Sequence, residues 1–477
     1  MHLQLQSEYG VLKAVIVHRP GKEIDRLQPD EDHLLHFKTY LFEDLPYLSS
    51  MQAEHDEFTY LLHEVAGTRV LRFTHLLYDV LLLNEQIQLM AIERLIEAGI
   101  RIRKAHHQTQ LKRFSQRLRK RRPLPVNRKL LDAPRLIEVV TRMVLPELSV
   151  EQLAYHLVTG LKVEHVAEYL NPGVNDPKRW RLPQALKNVP LDEFVILPSP
   201  NLYFMRDPVI VIGEGVIFSQ MMYSTRKTDA ELVRLVFEYH PLFQVKARGL
   251  EIWPAGRELN HVRGEKPKTI EGGDVLVLND HIVVIGQSER TTESAIQSIV
   301  QALFNHPASQ RVDTVYQVNL PSDRTFMHLD TVMTLVDENL ILVYEDAIQK
   351  LRPKGSRIKP TVRYTRNPDG TYTTEALRNT IIEELVELSS TVESLKGLQI
   401  IRVAAREQRS DAANVFVLGP RKVASYSRNT DTNHRLKERG VEVHKFNGPE
   451  LLRGLGGPRC MTMPLVRSAF YYVDSQV

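Results

Sequence analysis

The chain has 477 residues, 43% of them hydrophobic and 25% charged, a composition suited to one or more globular cores. Sixty-two Lys and Arg against 58 Asp and Glu leave a net charge of +4, too nearly balanced to mark nucleic acid or membrane as a partner for the whole molecule. A single cysteine, Cys460, excludes an internal disulfide and any metal site built on several thiolates. No stretch approaches the ~20 uninterrupted apolar residues of a spanning helix. With no export signal at the start, the expected compartment is the cytoplasm.

In chain order, the first predicted strand covers 11–18 and ends at the turn Arg19-Pro20-Gly21. Helices are predicted over 50–65 and 79–99. In the second, Leu81, Leu82, Ile87, Met90, Ala91, Leu95 and Ile96 recur near helical spacing, and Gly99 is the expected stop. The basic segment 101–129, interrupted by Pro123 and Pro125, reads as a solvated helix face and loop. Phe114 alone offers no stacking series for RNA, so a nucleic-acid role is not expected. Further helices fall within 130–172, and 183–200 is a proline-marked return.

From about 194 the pattern changes to short apolar runs: 209–212, 274–278, 281–285, 331–336, 340–344, 399–403 and 414–418. Helices are predicted at 291–304, 373–388 and 431–439, and a long surface loop at 353–372. Strand pair, helix, strand, recurring several times, predicts an α/β fold of repeated ββαβ units.

Four segments carry candidate chemistry. Asp207 lies in Asn201-Leu202-Tyr203-Phe204-Met205-Arg206-Asp207-Pro208, where an Asp before Pro is often only a turn-former. Glu271-Gly272-Gly273-Asp274 could be a hairpin turn, or a place where the backbone approaches a ligand closely. In Met327-His328-Leu329-Asp330-Thr331, a strand would put His328 and Asp330 on one face, a costly arrangement unless they line a polar site. Cys460 sits in the loop Gly456-Gly457-Pro458-Arg459-Cys460-Met461-Thr462-Met463-Pro464. A lone Cys is commonly a small buried hydrophobe; on a glycine loop, with a His and carboxylates elsewhere, it is a candidate nucleophile.

These segments, in this order, resemble the arginine deiminase family of guanidino-group-modifying enzymes. Ser288-Glu289-Arg290-Thr291, the opening Ser7-Glu8-Tyr9-Gly10 through His18-Arg19-Pro20-Gly21, Leu41 through Tyr47, and Tyr426-Ser427-Arg428-Asn429 extend the resemblance along nearly the whole chain. It implies a single catalytic domain, a five-bladed pseudo-symmetric α/β propeller, with a helical insertion within 75–190. It also implies hydrolysis of L-arginine to citrulline and ammonia without metal or cofactor, by a homo-oligomer, dimer or tetramer. Cys460 would attack the guanidino carbon and His328 would move protons. Asp207 and Asp330 would hold the guanidinium, with Glu271 bonding substrate or orienting His328. Arg226 and Arg290 would bind the substrate carboxylate, and Asn201, Phe204, Leu41 and Gly454 would line the pocket. The bound cation would help generate the thiolate, and three buried carboxylates would otherwise lack a counterion.

The chain departs from the family pattern at Leu455, where some members carry Arg. It departs again at Ala412, in Asp411-Ala412-Ala413-Asn414, where the family's Gly would make Ala412 strained if φ is positive. These departures leave room for a substituted or peptide-linked arginine as substrate. The same Cys/His chemistry would also serve an amidinotransferase. An arginine-binding regulatory protein without turnover is the reading from another class.

Overall fold

The structure, a computed structural model, describes residues 1–118, 133–253, 267–349 and 361–468. Strand β1 (Leu12–Val17) is followed by helix α1 (Leu48–Tyr60) and by β2 (Arg69–Arg72), parallel to β1. The chain then turns helical: α2 (Phe73–Leu81), α3 (Glu85–Leu118), α4 (Ala133–Val139), α5 (Val150–Thr159) and α6 (Val163–Leu170). Ser149 and Gln152 close a reciprocal capping box on α5. A short antiparallel pair, β3 (Leu161–Lys162) and β4 (Phe194–Ile196), brackets α6.

A recurring unit follows. Antiparallel strands β5 (Val209–Ile212) and β6 (Gly215–Phe218) lead through α7 (Lys227–Tyr239) to β7 (Glu251–Trp253), parallel to β6. The two-residue turn at Gly213-Glu214 uses Gly213 at φ +59°, which glycine adopts without steric cost. Strands β8 (Val275–Val277) and β9 (Ile282–Gln287) lead through α8 (Glu293–Asn305) to β10 (Thr314–Asn319) in the same pattern. So do β11 (Met333–Asp337) and β12 (Leu340–Val343), whose parallel partner β15 (Gln399–Arg402) comes after the hairpin β13 (Val362–Arg366) and β14 (Tyr372–Ala376). Finally β16 (Phe416–Gly419) and β17 (Lys422–Tyr426) lead to β18 (Glu442–Phe446). The last strand, β19 (Met463–Arg467), returns to pair antiparallel with β1.

Among the described residues, five sheets therefore share one plan: an antiparallel pair, a helical crossover, and a third strand parallel to the second. The mixed α/β fold and its ββαβ repetition were legible in the apolar runs. β5, β6, β12 and β16 are buried at every position, as strands covered on both faces should be.

Four expectations need correcting. The helix predicted over 79–99 is two helices. The Asn84 side chain accepts the Ile87 amide at 3.0 Å and starts α3, and Gly99 lies inside α3. The region 373–388 is helical only over Ile381–Leu388, where Thr380 and Glu383 form a capping box; the β-prone Tyr372-Thr373-Thr374 is strand instead. The predicted surface loop contains β13, which pairs with β10, although 351–360 lies outside the described residues. His328 and Asp330 are not in a strand; one helical turn, Leu329–Thr331, separates them from β11. Much of the basic segment also lies outside the described residues. No described helix is long and apolar enough to cross a membrane.

Candidate active site

Four of the five sheets deliver their candidate residues from the segment just before an antiparallel pair begins. Asp207 precedes β5, Glu271 precedes β8, His328 and Asp330 precede β11, and Cys460 precedes β19. The fifth segment, before β16, contributes Asn414. Its side-chain oxygen accepts the Cys460 amide at 3.1 Å, and its amide donates to the Asp330 carbonyl at 3.0 Å. Asn414 was not singled out in the sequence, because its role is to tie two distant loops together.

These segments converge on a small cavity lined by Leu41, Asn201, Phe204, Asp207, Arg226, Arg290, Met327, His328, Gly454, Leu455 and Cys460. Nine of those are sequence candidates. Glu271 and Asp330 stand directly behind this wall, with no solvent exposure. The Asn201 side chain donates to the Tyr40 carbonyl at 2.9 Å, which fixes the loop carrying Asp207. Leu41 and Leu455 both line the cavity with positive φ, +70° and +59°, conformations that bulky residues adopt only when their surroundings enforce them. In the 411–414 segment it is Asp411, at φ +52°, that is left-handed; Ala412 carries no such strain.

The glycine pair has a steric reason. A Cβ on Gly273 would stand 2.6 Å from the His328 ring, and one on Gly272 would stand 2.1 Å from the Arg206 carbonyl oxygen. The close approach is therefore to His328 and to the Asp207 loop. His328 Nε2 lies 2.9 Å from Glu271 Oε2, and Nδ1 lies 3.7 Å from Asp207 Oδ1. Burial works against the imidazolium, but Asp207 and the Glu271 hydrogen bond overcome it and raise the His328 pKa to about 9. Glu271 moves the opposite way. Burial opposes its charge, yet Arg290 and His328 draw it down to about 2.

The Cys460 sulfur lies 3.8 Å from Asp330 Oδ2 and 3.9 Å from Oδ1. Burial, then Asp330, Asp207 and Asp411, push its pKa well above the ordinary thiol value. These shifts favour a thiol at Cys460 and an imidazolium at His328.

The carboxylates have counterions supplied by the protein itself. Arg226 donates to Asp207 and, from Nε, to Asp229 at 3.2 Å. Arg290 donates to Glu271 at 3.3 Å and lies over the Tyr223 ring, 4.5 Å from its centroid. Arg459 donates to Asp330 at 2.6 Å. The expectation that the three carboxylates would lack a counterion without a bound cation is corrected by these arginines, and Arg459 and its partner Glu8 were missed although both sit inside quoted motifs. Donor atoms of Asp207, Glu271 and His328 lie within 4.8 Å of one another, a spacing a metal ion could use. Both carboxylates already face an arginine, and His328 holds a proton, so this set suits a planar monocation better than a divalent one.

The family model described as arginine deiminase matches residues 38–142 and 144–467. The arginine deiminase of Oenococcus oeni is 31% identical over 471 residues, covering 98% of this chain and 97% of that protein. The arginine deiminase of Listeria monocytogenes is 32% identical over 467 residues, with 98% of each chain covered. Among solved structures, a dimethylarginine dimethylaminohydrolase adduct with S-methyl-L-thiocitrulline aligns over 95% of this chain and 99% of that chain at 13% identity, with a TM-score of 0.44. The product-bound N-terminal domain of ArgZ, a cyanobacterial arginine dihydrolase, covers 56% of this chain and 77% of its own at 16% identity, with a TM-score of 0.39. Those structural likenesses are weak, and the assignment rests on the sequence. A family pattern that runs from residue 38 to 467, with relatives above 30% identity along their whole length, places this chain in the arginine deiminase family.

Proposed function

We propose that this protein hydrolyses L-arginine to L-citrulline and ammonia, with Cys460 as nucleophile and His328 as the proton carrier. The observation that carries the reading is one cavity in which a buried thiol, a histidine held between two carboxylates, and two arginines meet.

Arginine is a guanidinium joined to an amino acid carboxylate. Its guanidinium replaces protein cations at Asp207 and Glu271 and joins Arg459 at Asp330, while its carboxylate draws Arg226 and Arg290 to itself. The exchange is nearly balanced in charge, so neither carboxylates nor arginines are left bare in a buried site. The arriving cation offsets the aspartates around the sulfur, lowers the thiol pKa, and the thiol proton leaves to solvent.

The thiolate attacks the guanidino carbon and forms a C–S bond. His328, charged in the resting site, gives its proton to the departing nitrogen, and ammonia leaves as the C–N bond breaks. Neutral His328 then takes a proton from water as that water adds to the amidino carbon. Cleavage of the C–S bond releases citrulline and restores the thiolate. Glu271 orients the imidazole and stabilises its charged form.

The five similar sheets support a five-bladed pseudo-symmetric propeller with this cavity on its axis, forming one catalytic domain with a helical insertion over 75–190. A cytoplasmic homo-oligomer, dimer or tetramer, is the assembly we infer, with L-arginine as its small-molecule partner.

The test incubates purified protein with L-arginine and quantifies citrulline and ammonia, with Cys460→Ala in parallel. Equimolar products from the wild type and none from the variant establish the reaction. A guanidino compound formed from an added amine, without ammonia, would make it an amidinotransferase. Arginine protection of Cys460 from alkylation without any product would make it a binding protein.

A further inference from the structure

Glu8 lies far from the cavity in sequence and outside its wall, yet it is joined to the sulfur by a continuous set of charged contacts. It is buried, its amide donates to the Val277 carbonyl at 2.9 Å, and the Val277 amide donates back to Oε1 at 3.4 Å. One backbone bond and one bond from backbone to the carboxylate fix Glu8 against β8. Its carboxylate then receives Arg459 through two donors, Nε at 3.3 Å and Nη2 at 2.9 Å. The remaining nitrogen of Arg459, Nη1, donates to Asp330 at 2.6 Å, and Asp330 lies 3.8 Å from the Cys460 sulfur.

Arg459 thus stands between two carboxylates and shares one charge with both. Glu8 has other cationic neighbours as well, since Arg206 and Arg467 are buried beside it. Arg206 donates its amide to the Cys460 carbonyl at 3.0 Å, and Arg467 donates to the Gly10 carbonyl at 2.7 Å. Three buried guanidiniums face Glu8 and Asp330, and only Asp330 is beside the reacting atoms. The position of the shared Arg459 charge therefore sets how much negative charge Asp330 has left for an arriving guanidinium.

We propose that Glu8 is a positioning residue for the Cys460 centre: it takes a share of the Arg459 charge, leaving Asp330 with enough negative charge to bind a substrate guanidinium beside the sulfur. The inference rests on Cys460 being the nucleophile, and its test includes a readout that does not need turnover.

Glu8→Gln removes the carboxylate charge and keeps the shape. Arg459 then gives its charge to Asp330 alone. The inflection of Cys460 alkylation by iodoacetamide moves to lower pH by about half a unit to one unit, so alkylation at pH 8 speeds up roughly three- to tenfold. The KM for arginine rises about tenfold, and kcat changes less, because the loss falls on guanidinium binding. Glu8→Asp keeps the charge but shortens the reach, and shifts both readouts in the same direction by a smaller amount. Should Glu8→Gln fail to fold with three arginines facing one carboxylate, the Glu8→Asp alkylation profile decides the matter. An alkylation profile that matches wild type in a folded Glu8 variant overturns the proposal, whatever happens to turnover. If the wild type makes no citrulline but the profile shifts as stated, the relay stands and the assigned reaction falls.

Discussion

Arg459 grips Asp330 beside the sulfur, while Arg226 and Arg290 grip Asp207 and Glu271 around the imidazole. All three are buried arginine–carboxylate pairs in one site, yet they have different supports. Arg459 is tied on its other edge to Glu8 and to the Val275 carbonyl at 2.9 Å, and it does not line the cavity. Arg226 and Arg290 are part of the cavity wall, where an incoming carboxylate can reach them. A pair locked from behind serves as framework; a pair that faces the cavity can exchange partners with a zwitterionic substrate. What decides between the two is whether the arginine faces the cavity, not the pair distance.

The comparison can be broken at its common centre first. Cys460→Ala should reduce citrulline formation by roughly 10⁴-fold or more, since both sets of pairs serve one nucleophile. A next test separates framework from exchange. Arg459→Ala should cost about 3–5 kcal/mol of stability, because it strands Glu8 and Asp330 together; urea denaturation reads this directly. Arg290→Ala should instead leave stability within about 1–2 kcal/mol of wild type and raise the KM for arginine by about 10–100-fold. Equal stability losses in the two variants would falsify the distinction.

Gly273→Ala probes the imidazole without touching any charge. Its Cβ would press on His328, and kcat should fall by about 10²-fold with a smaller change in KM. A last test concerns pH. The His328 pKa is raised from an ordinary 6.5 to about 9, so the stability it contributes is fully present below 6.5 and is lost as pH rises through 9. That loss should be on the order of 3 kcal/mol, and kcat/KM should decline over the same upper range as the imidazolium loses its proton. Melting curves between pH 6 and 10, on wild type and His328→Ala, isolate the contribution.

What could be read from the sequence follows from how far apart the contacting residues are. The apolar runs of β5, β9 and β12 announce themselves within a few residues, and so do the motif segments around Asp207, His328 and Cys460. The split between α2 and α3 was missed because Leu81 and Ile87 keep helical spacing across a break that only the Asn84 cap reveals. The strand β13 was taken for loop because its apolar content is low, and its place comes from pairing with β10. His328 and Asp330 do share the site, but through a helical turn rather than the strand periodicity first invoked. Arg459 and Glu8 sit in quoted motifs, yet their bond spans 451 positions, and no local pattern shows it.

The pairing of β19 with β1 carries a consequence for biosynthesis. Cys460 sits three residues before β19, and β1 waits from the start of the chain for that strand. A ribosome that has made four of the five sheets has made every carboxylate of the site and the histidine, but no thiol. On the proposed mechanism, chains that stop before Cys460 would form no citrulline. The same long-range closure makes β1–β19 pairing a late and slow folding event, since sequence-distant contacts carry the largest loop-closure cost. Activity then reports completion of the fold as a whole.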